Sequence, residues 1–247
     1  LVEQKVIVKT GTKYQLDSLW IQRLKHYSIA TERLYSGKED PYKLLEHVDE
    51  KPVTITFNDL SIGATTLATI MAEKMLTKGK PARLRVLIHH SWWPLRFNFT
   101  DFNLLQKISI SNPGGKAVIA SNSPFDQWIV EQYNIAAKPY NGSAIIDSQA
   151  RVQKEDLFAL GDYAIHATFS KETSEFIDQV YDEIHGLYDM LKFYYSKRID
   201  SLNAEIHLTI ERNPSLAQFI AEKVEAHYEK QKIKKEHSLN RLEEKVS

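Results

Sequence analysis

The chain has 247 residues, with 32 Lys or Arg against 32 Asp or Glu and no cysteine. That length buries a real core, as one large domain or two small lobes. Zero formal net charge argues against a general nucleic-acid binder, which carries a basic excess or a basic face, and the lack of cysteine removes disulfides, thiolate nucleophiles and Cys-based zinc sites.

The chain opens on LVEQKVIVKTG, with no basic segment leading into an apolar run of signal-peptide length. No apolar run approaches the roughly 20 residues that cross a bilayer. These features predict a cytoplasmic protein without a membrane span. Asn98-Phe99-Thr100 and Asn141-Gly142-Ser143 fit the glycosylation pattern, which has meaning only in a secretory context.

Lys5 to Thr12 reads as a short strand running into Gly11. KYQLDSLWIQRLKHY follows, and Leu16, Leu19, Trp20, Ile21 and Leu24 fit helical spacing. Asp40 to Val48 predicts a short helix, with Asp40 as N-cap and Pro41 at the first helical position. In KPVTITFND, Val53, Ile55 and Phe57 alternate with Thr54 and Thr56, the period of a strand. DLSIGATTLATIMAEKMLTKGK places Leu67, Ile70, Met71 and Leu76 on a helical repeat and stops at Gly79. A third strand covers Leu84, Val86 and Ile88 and ends in His89, His90, Ser91, Trp92, Trp93 and Pro94. GKAVIAS is a fourth strand and SPFDQWIVEQYNI the helix after it. GSAIIDS is a fifth strand, QKEDLFALG a short helix and DYAIHATF a sixth strand.

Alternation of this kind predicts an α/β protein with mostly parallel sheets and flanking helices. After Ser170 the pattern becomes helical. KETSEFIDQVYDEIHGLYDMLKFYYSKRI carries Ile177, Val180, Ile184, Leu187, Leu191 and Tyr195 at 3-4 spacing and reads as one long amphipathic helix. Glu175 and Asp178 near its start suit the positive end of the helix dipole. A second helix enters through Asn213 and Pro214. Its tail, residues 222–245, carries seven Lys or Arg against six Glu, the balance of a solvated or partner helix.

Familiar site signatures are missing. There is no His-Glu-x-x-His, no Walker loop, no Gly-x-Gly-x-x-Gly and no Gly-x-Ser-x-Gly. His89 and His90 are the densest histidine pair. Adjacent residues on a strand face opposite ways, so no metal site is expected, and no cofactor is expected either.

The remaining signal is positional. Ligands of open parallel sheets sit beyond the carboxyl ends of the strands. Those ends are small and polar here: Thr10 and Thr12; Asn58, Asp59 and Ser61; Ser91; Ser121, Asn122 and Ser123; Asp147. Helices begin directly after several of them, so free N–H groups and hydroxyls there suit a small anion. Any single Ser, Asn or Asp reads more simply as a helix cap; the set as a whole reads as a cleft.

The order of elements resembles the type II periplasmic-binding-protein fold. ISISNPGGKAVIASNSPFDQWIVEQYNIA is similar to that family's entry into its second lobe. ALGDYAIHATFSKETSEFIDQVYDEI is similar to its late Gly-Asp-hydrophobic strand and following helix. The likeness covers residues 50–185. EKPVTITFNDLSIG stands where the family has an early Gly-x-x-Asp, and the charged C-terminal helix is longer than usual. Cytoplasmic members of the fold include ligand-sensing regulator domains and enzymes resembling chorismate dehydratase.

The resemblance implies two lobes, residues 1–88 and 89–170, with a helical C-terminal region at 171–247. An interlobe cleft would bind a small anionic or polar organic molecule, with Asp162 joining Asp147 in orienting it. Two alternatives stand beside this one. The first is a lyase-like enzyme acting on a small carboxylate, with Asp59, Asp147 or His166 as general base. The second is an interaction protein working through its last two helices. The expected partners are a small-molecule ligand and a homodimer mate bound through those helices, with no nucleic acid.

Overall fold

The computed structural model describes residues 7–10, 12–16, 20, 24, 47–76, 83–92, 95, 113–150, 155–196 and 204–246. Two strands, β1 (Ile7–Thr10) and β2 (Lys13–Leu16), pair antiparallel in a ribbon of their own. Residues 13–16 are therefore a strand, not the start of the predicted helix. Trp20 and Leu24, further along that segment, are helical. The predicted helix at 40–48 lies largely outside the described residues.

The rest of the described chain is an α/β unit. Its strands are β3 (Val53–Phe57), β4 (Leu84–Ile88), β5 (Lys116–Ile119), β6 (Ser143–Ile146), β7 (Glu155–Leu160), β8 (Tyr163–Phe169) and β9 (Ile206–Arg212). Its helices are α1 (Leu60–Leu76), α2 (Pro124–Ala137), α3 (Lys171–Glu183), α4 (Leu187–Tyr195) and α5 (Pro214–Val246). The seven strands form one sheet in the order β3-β9-β8-β7-β4-β5-β6.

That sheet is mixed, which corrects the expectation of mostly parallel pairing. Only β4 with β5 and β5 with β6 run parallel; the other neighbours are antiparallel. The reason lies at 155–160, where the sequence suggested a helix. β7 is buried on both faces (pattern eBiBBB), so it shows no alternation. Its Glu, Leu and Ala are also good helix formers. Gly161, at φ 58°, turns β7 directly into β8, with Leu160 opposite Tyr163. Glycine, without a Cβ, adopts that angle at no steric cost. β4, from the first expected lobe, lies between β5 and β7 of the second, so strands from both expected lobes share one sheet.

β9 was not foreseen. Its buried Ile206, Leu208 and Ile210 alternate with His207 and Thr209, and it pairs with both β3 and β8. The long helix expected after Ser170 is two helices, broken at Ile184, His185 and Gly186.

Each sheet face is covered. Val86, Ile88, Ile119, Phe158, Ile165 and Leu208 pack with residues of α1, α2, α3 and α4. On the other face Leu87 and Val118 meet Val224, while Ala159 and Ala164 meet Ala217 and Ile220, all from α5. Among the described residues no helix is long and apolar enough to cross a membrane.

Helix α5 is also held by polar contacts. Arg85 Nε donates to Glu225 Oε1 at 2.7 Å, and Lys116 Nζ donates to Glu225 Oε2 at 2.5 Å. Arg85 Nη1 donates to the carbonyls of Leu84 and Gly114. Tyr228 Oη donates to the Ser143 carbonyl at 2.7 Å, and Gln231 Nε2 donates to the Ile146 carbonyl. Burial of the Glu225 carboxyl acts to raise its pKa, but Lys116 and Arg85 outweigh it and hold it low. A lowered carboxyl stabilises the fold above the ordinary carboxylate range and loses that effect as pH falls through its own value. Glu225→Ala should therefore cost about 1–2 kcal/mol at neutral pH, the charge-assisted bonds being discounted for partial exposure. Urea unfolding should show a lower midpoint with an unchanged slope, and the deficit should shrink in acid.

Candidate functional site

β4 ends at Ile88, one residue before the histidine pair. His89 and His90 lie in a bend beyond the strand, so strand alternation does not separate them. Their ring centroids are 4.4 Å apart at 67°. Because β7 runs antiparallel to β4, its first residues sit at this same sheet edge, and so do the end of β8 and the start of α3. The edge holds a cavity of about 210 Å³ lined by His89, His90, Trp92, Asp156, Phe169, Ser174, Ile177 and Asp178.

Beneath the cavity is a buried polar network. Asp126, in the first turn of α2, is 0% exposed. Its Oδ2 meets His90 Nδ1 at 2.7 Å and accepts from Ser123 Oγ at 2.8 Å. Its own N–H donates back to Ser123 Oγ, which is the helix N-cap. His90 Nε2 faces Asp178 Oδ1 of α3 at 3.1 Å, and His89 Nε2 lies 3.6 Å from the same oxygen. The His90 ring tilts against Tyr181, with centroids 4.3 Å apart, and Tyr181 Oη donates to the Ser91 carbonyl. Burial, then the charges of Asp126 and Asp156, push the Tyr181 hydroxyl far up, so it remains a neutral donor.

A second buried carboxyl, Asp156 of β7, accepts from the His89 N–H at 2.9 Å and from Trp92 Nε1 at 2.6 Å. Burial pushes its pKa up to about 7, against the pull of those two donors and of His90. Burial and then the neighbouring His90 lower the pKa of His89, so its ring is neutral at physiological pH. A carboxylate only accepts, so a neutral His90 places its proton on Nδ1 toward Asp126 and turns the Nε2 lone pair toward Asp178. The nitrogens of His89 and His90 and an oxygen of Asp178 lie within 4.8 Å of one another, close enough to hold one cation. The strand-alternation argument against a metal here does not hold at these positions.

The residues nominated from sequence do not converge on one cleft. Ser123 caps α2, and Ser121 Oγ accepts the Ser123 N–H. Asn122 is exposed and bonds Gln127. Asp59 caps α1 by accepting the Ile62 N–H, beside exposed Asn58 and the first turn that holds Ser61. Asp147 pairs with His227 of α5 at 2.7 Å. Asp162, in the β7–β8 turn, reaches Arg212. Thr10 and Thr12 belong to the separate ribbon. Of the nominated residues Ser123 and Ser91 touch the network: Ser123 Oγ donates to Asp126, and Ser91 aims its N–H at Asp126 while its carbonyl is taken by Tyr181. Of the three proposed bases, Asp59 and Asp147 are engaged as above. His166 stands opposite Leu157, on the face covered by α5.

Sequence reasoning passed over Asp126, Asp156 and Asp178. Asp126 carried a signal: Ser123-Pro-Phe-Asp126 places an acid three residues after a serine cap, the spacing that returns a side chain to the cap. Asp156 was hidden by the helix assigned to its segment.

The β1–β2 ribbon is the other feature with open chemistry. Thr12, Lys13, Tyr14 and Leu16 are exposed. Between Glu3 and Asp17 the chain has Lys5, Lys9 and Lys13 and no acidic residue.

No known family model matches the chain, and no curated protein matches it. Among solved structures it is similar to TrmBL2, described as an archaeal chromatin protein with a novel mode of DNA binding. The identity is 13%, the match covers 93% of this chain and 78% of that one, and the TM-score is 0.37. A likeness that distant fixes neither fold nor function. The expectations of a small-molecule binder and of no nucleic-acid partner are both set aside: the residues nominated for a cleft are dispersed, and the DNA binding described for this neighbour is a property of that protein.

Asp156 generates a pH prediction. Its carboxyl ionises near 3.8 ordinarily and near 7 in the fold. Between those values the folded chain keeps a proton that the unfolded chain has released. Stability from this group is thus full below about pH 4 and is lost as pH rises through about 7. Relative to Asp156→Asn, the native protein should lose on the order of 4 kcal/mol between about pH 4 and pH 8. Denaturant unfolding of both proteins across that range measures it. A flat difference would mean that the two N–H donors keep the carboxylate ionised throughout.

Proposed function

We propose that this chain is a DNA-associated protein in which the β1–β2 ribbon contacts the duplex, mounted on an α/β body with a polar, titratable centre. The observation that supports this reading is the ribbon itself. Among the described strands it pairs as a two-stranded sheet apart from the seven-stranded one, and its exposed strand and turn carry lysine without acid. A two-stranded antiparallel ribbon fits a DNA groove, and lysines beside phosphates bind by releasing counterions.

The register sharpens the reading. Lys9 stands opposite Tyr14, and Thr10 opposite Lys13. Neighbouring positions alternate between faces, so positions 9 and 13 fall on opposite faces of the ribbon. A ribbon seated edge-on in a groove would turn one face to each wall, and each wall is a phosphate backbone. The zero net charge of the whole chain does not oppose this, because the counterion effect depends on the charges at the contact. The likeness to a chromatin protein carries none of the argument; it names the same class of partner.

Fluorescence anisotropy with duplexes of unrelated sequence, titrated across monovalent salt, tests the proposal. The native chain should bind with little sequence preference, and its affinity should fall steeply with salt. Lys9→Glu with Lys13→Glu should weaken binding equally on every duplex and flatten the log–log salt slope by about 2, at about 0.9 per phosphate contact. No binding at low salt, or a slope unchanged by the substitutions, would refute it.

A further inference from the structure

We propose that His89, His90 and Asp178 form a binding site for one divalent transition-metal ion, with zinc chemistry the best match. This goes beyond the DNA reading and is independent of it, because its test involves no nucleic acid.

Geometry comes first. Ligands of a tetrahedral zinc ion at about 2.0–2.1 Å stand roughly 3.3 Å from one another. Asp178 Oδ1 lies 3.1 Å from His90 Nε2 and 3.6 Å from His89 Nε2. All three donor atoms lie within 4.8 Å of one another. They already converge on one another, so small rotations complete the set.

The support behind His90 is the second observation. Its Nδ1 is 2.7 Å from Asp126 Oδ2. Metal-binding histidines commonly donate the other ring N–H to a carboxylate, which fixes the tautomer and raises the basicity of the ligating nitrogen. Asp126 is itself locked by Ser123, so the His90 ring has one orientation. In that tautomer the Nε2 lone pair points at a carboxylate oxygen. A cation seated between those two atoms would satisfy both.

Charge and ligand type decide which cation. Asp126, Asp156 and Asp178 surround the histidines, and among the described residues no lysine or arginine lines the cavity. Two imidazoles and one carboxylate suit zinc, cobalt or nickel; calcium and magnesium take oxygen ligands. Three protein ligands leave a fourth position, and the cavity of about 210 Å³ gives it room. The metal would tie α3, through Asp178, to the end of β4.

The test uses the untagged full chain, stripped with a chelator and titrated with Co²⁺. Tetrahedral cobalt gives intense visible ligand-field bands, and Zn²⁺ should displace it and abolish them. The expected result is one ion per chain. His89→Gln and Asp178→Asn replace side chains that are 48% and 52% exposed, so both proteins should fold, with unfolding transitions near the native one. Each should weaken cobalt binding at least about tenfold. Failure of the native chain to take up the ion would overturn the proposal and assign the space between His90 and Asp178 to a proton on an imidazolium. Uptake that both variants retain undiminished would overturn it too, by placing the ion elsewhere.

Discussion

The hydrogen bond from His90 to Asp126 is the constraint around which this sheet edge is organised. Asp126 is wholly enclosed, out of reach of water. An isolated ionised carboxylate in such a place costs many kcal/mol, so its partners must be present in the fold. They come from three directions: the Ser123 hydroxyl of its own helix cap, the His90 ring beyond β4 and, at longer range, the Ser91 N–H. Meeting that demand sets α2 against the end of β4. His90 passes the constraint on to Asp178, which fixes where α3 crosses the edge. Tyr181 closes the arrangement by packing at a tilt on His90 and Phe125 and bonding the Ser91 carbonyl.

Local charge here departs widely from the total. The sums cancel across 247 residues. Yet three carboxyls gather at one sheet edge with only histidines beside them, while the ribbon carries only lysines. Nor are all cations on the surface: Arg85 is buried in the sheet and discharges its hydrogen bonds on Glu225 and two carbonyls. A balanced composition excludes a protein basic all over, and it says nothing about a basic hairpin.

The sequence made the edges of the architecture legible and hid its centre. β3 alternates one residue in, one out, so Val53, Ile55 and Phe57 announced it. α2 had its serine cap and its proline in the first turn. β7 had neither alternation nor flanking breakers, being buried on both sides, and only the Gly161-Asp162 pair pointed to a hairpin. With β7 misread, the β7–β8 pairing disappeared and the sheet read as parallel. β9 did alternate, but it lay between two strong helical patterns and went unread. The site failed for a related reason. Its residues come from the ends of β4 and β7, the first turn of α2 and the second turn of α3, far apart along the chain. The one local clue, His89-His90, was set aside by applying strand geometry one residue past the end of the strand.

Helix α5 spans 33 residues, about 50 Å at 1.5 Å per residue. Its docking contacts run from Ala217 to Gln231. Residues 232–234 are already exposed, and the helix continues to Val246. From Gln231 to Val246 the helix runs a further distance of about 22 Å. Such a length of helix is a mechanical lever. A tilt of about 10° at the docked segment would carry its tip roughly 4 Å sideways, so a small repacking around Glu225 and Tyr228 becomes a displacement the size of a side chain at the far end.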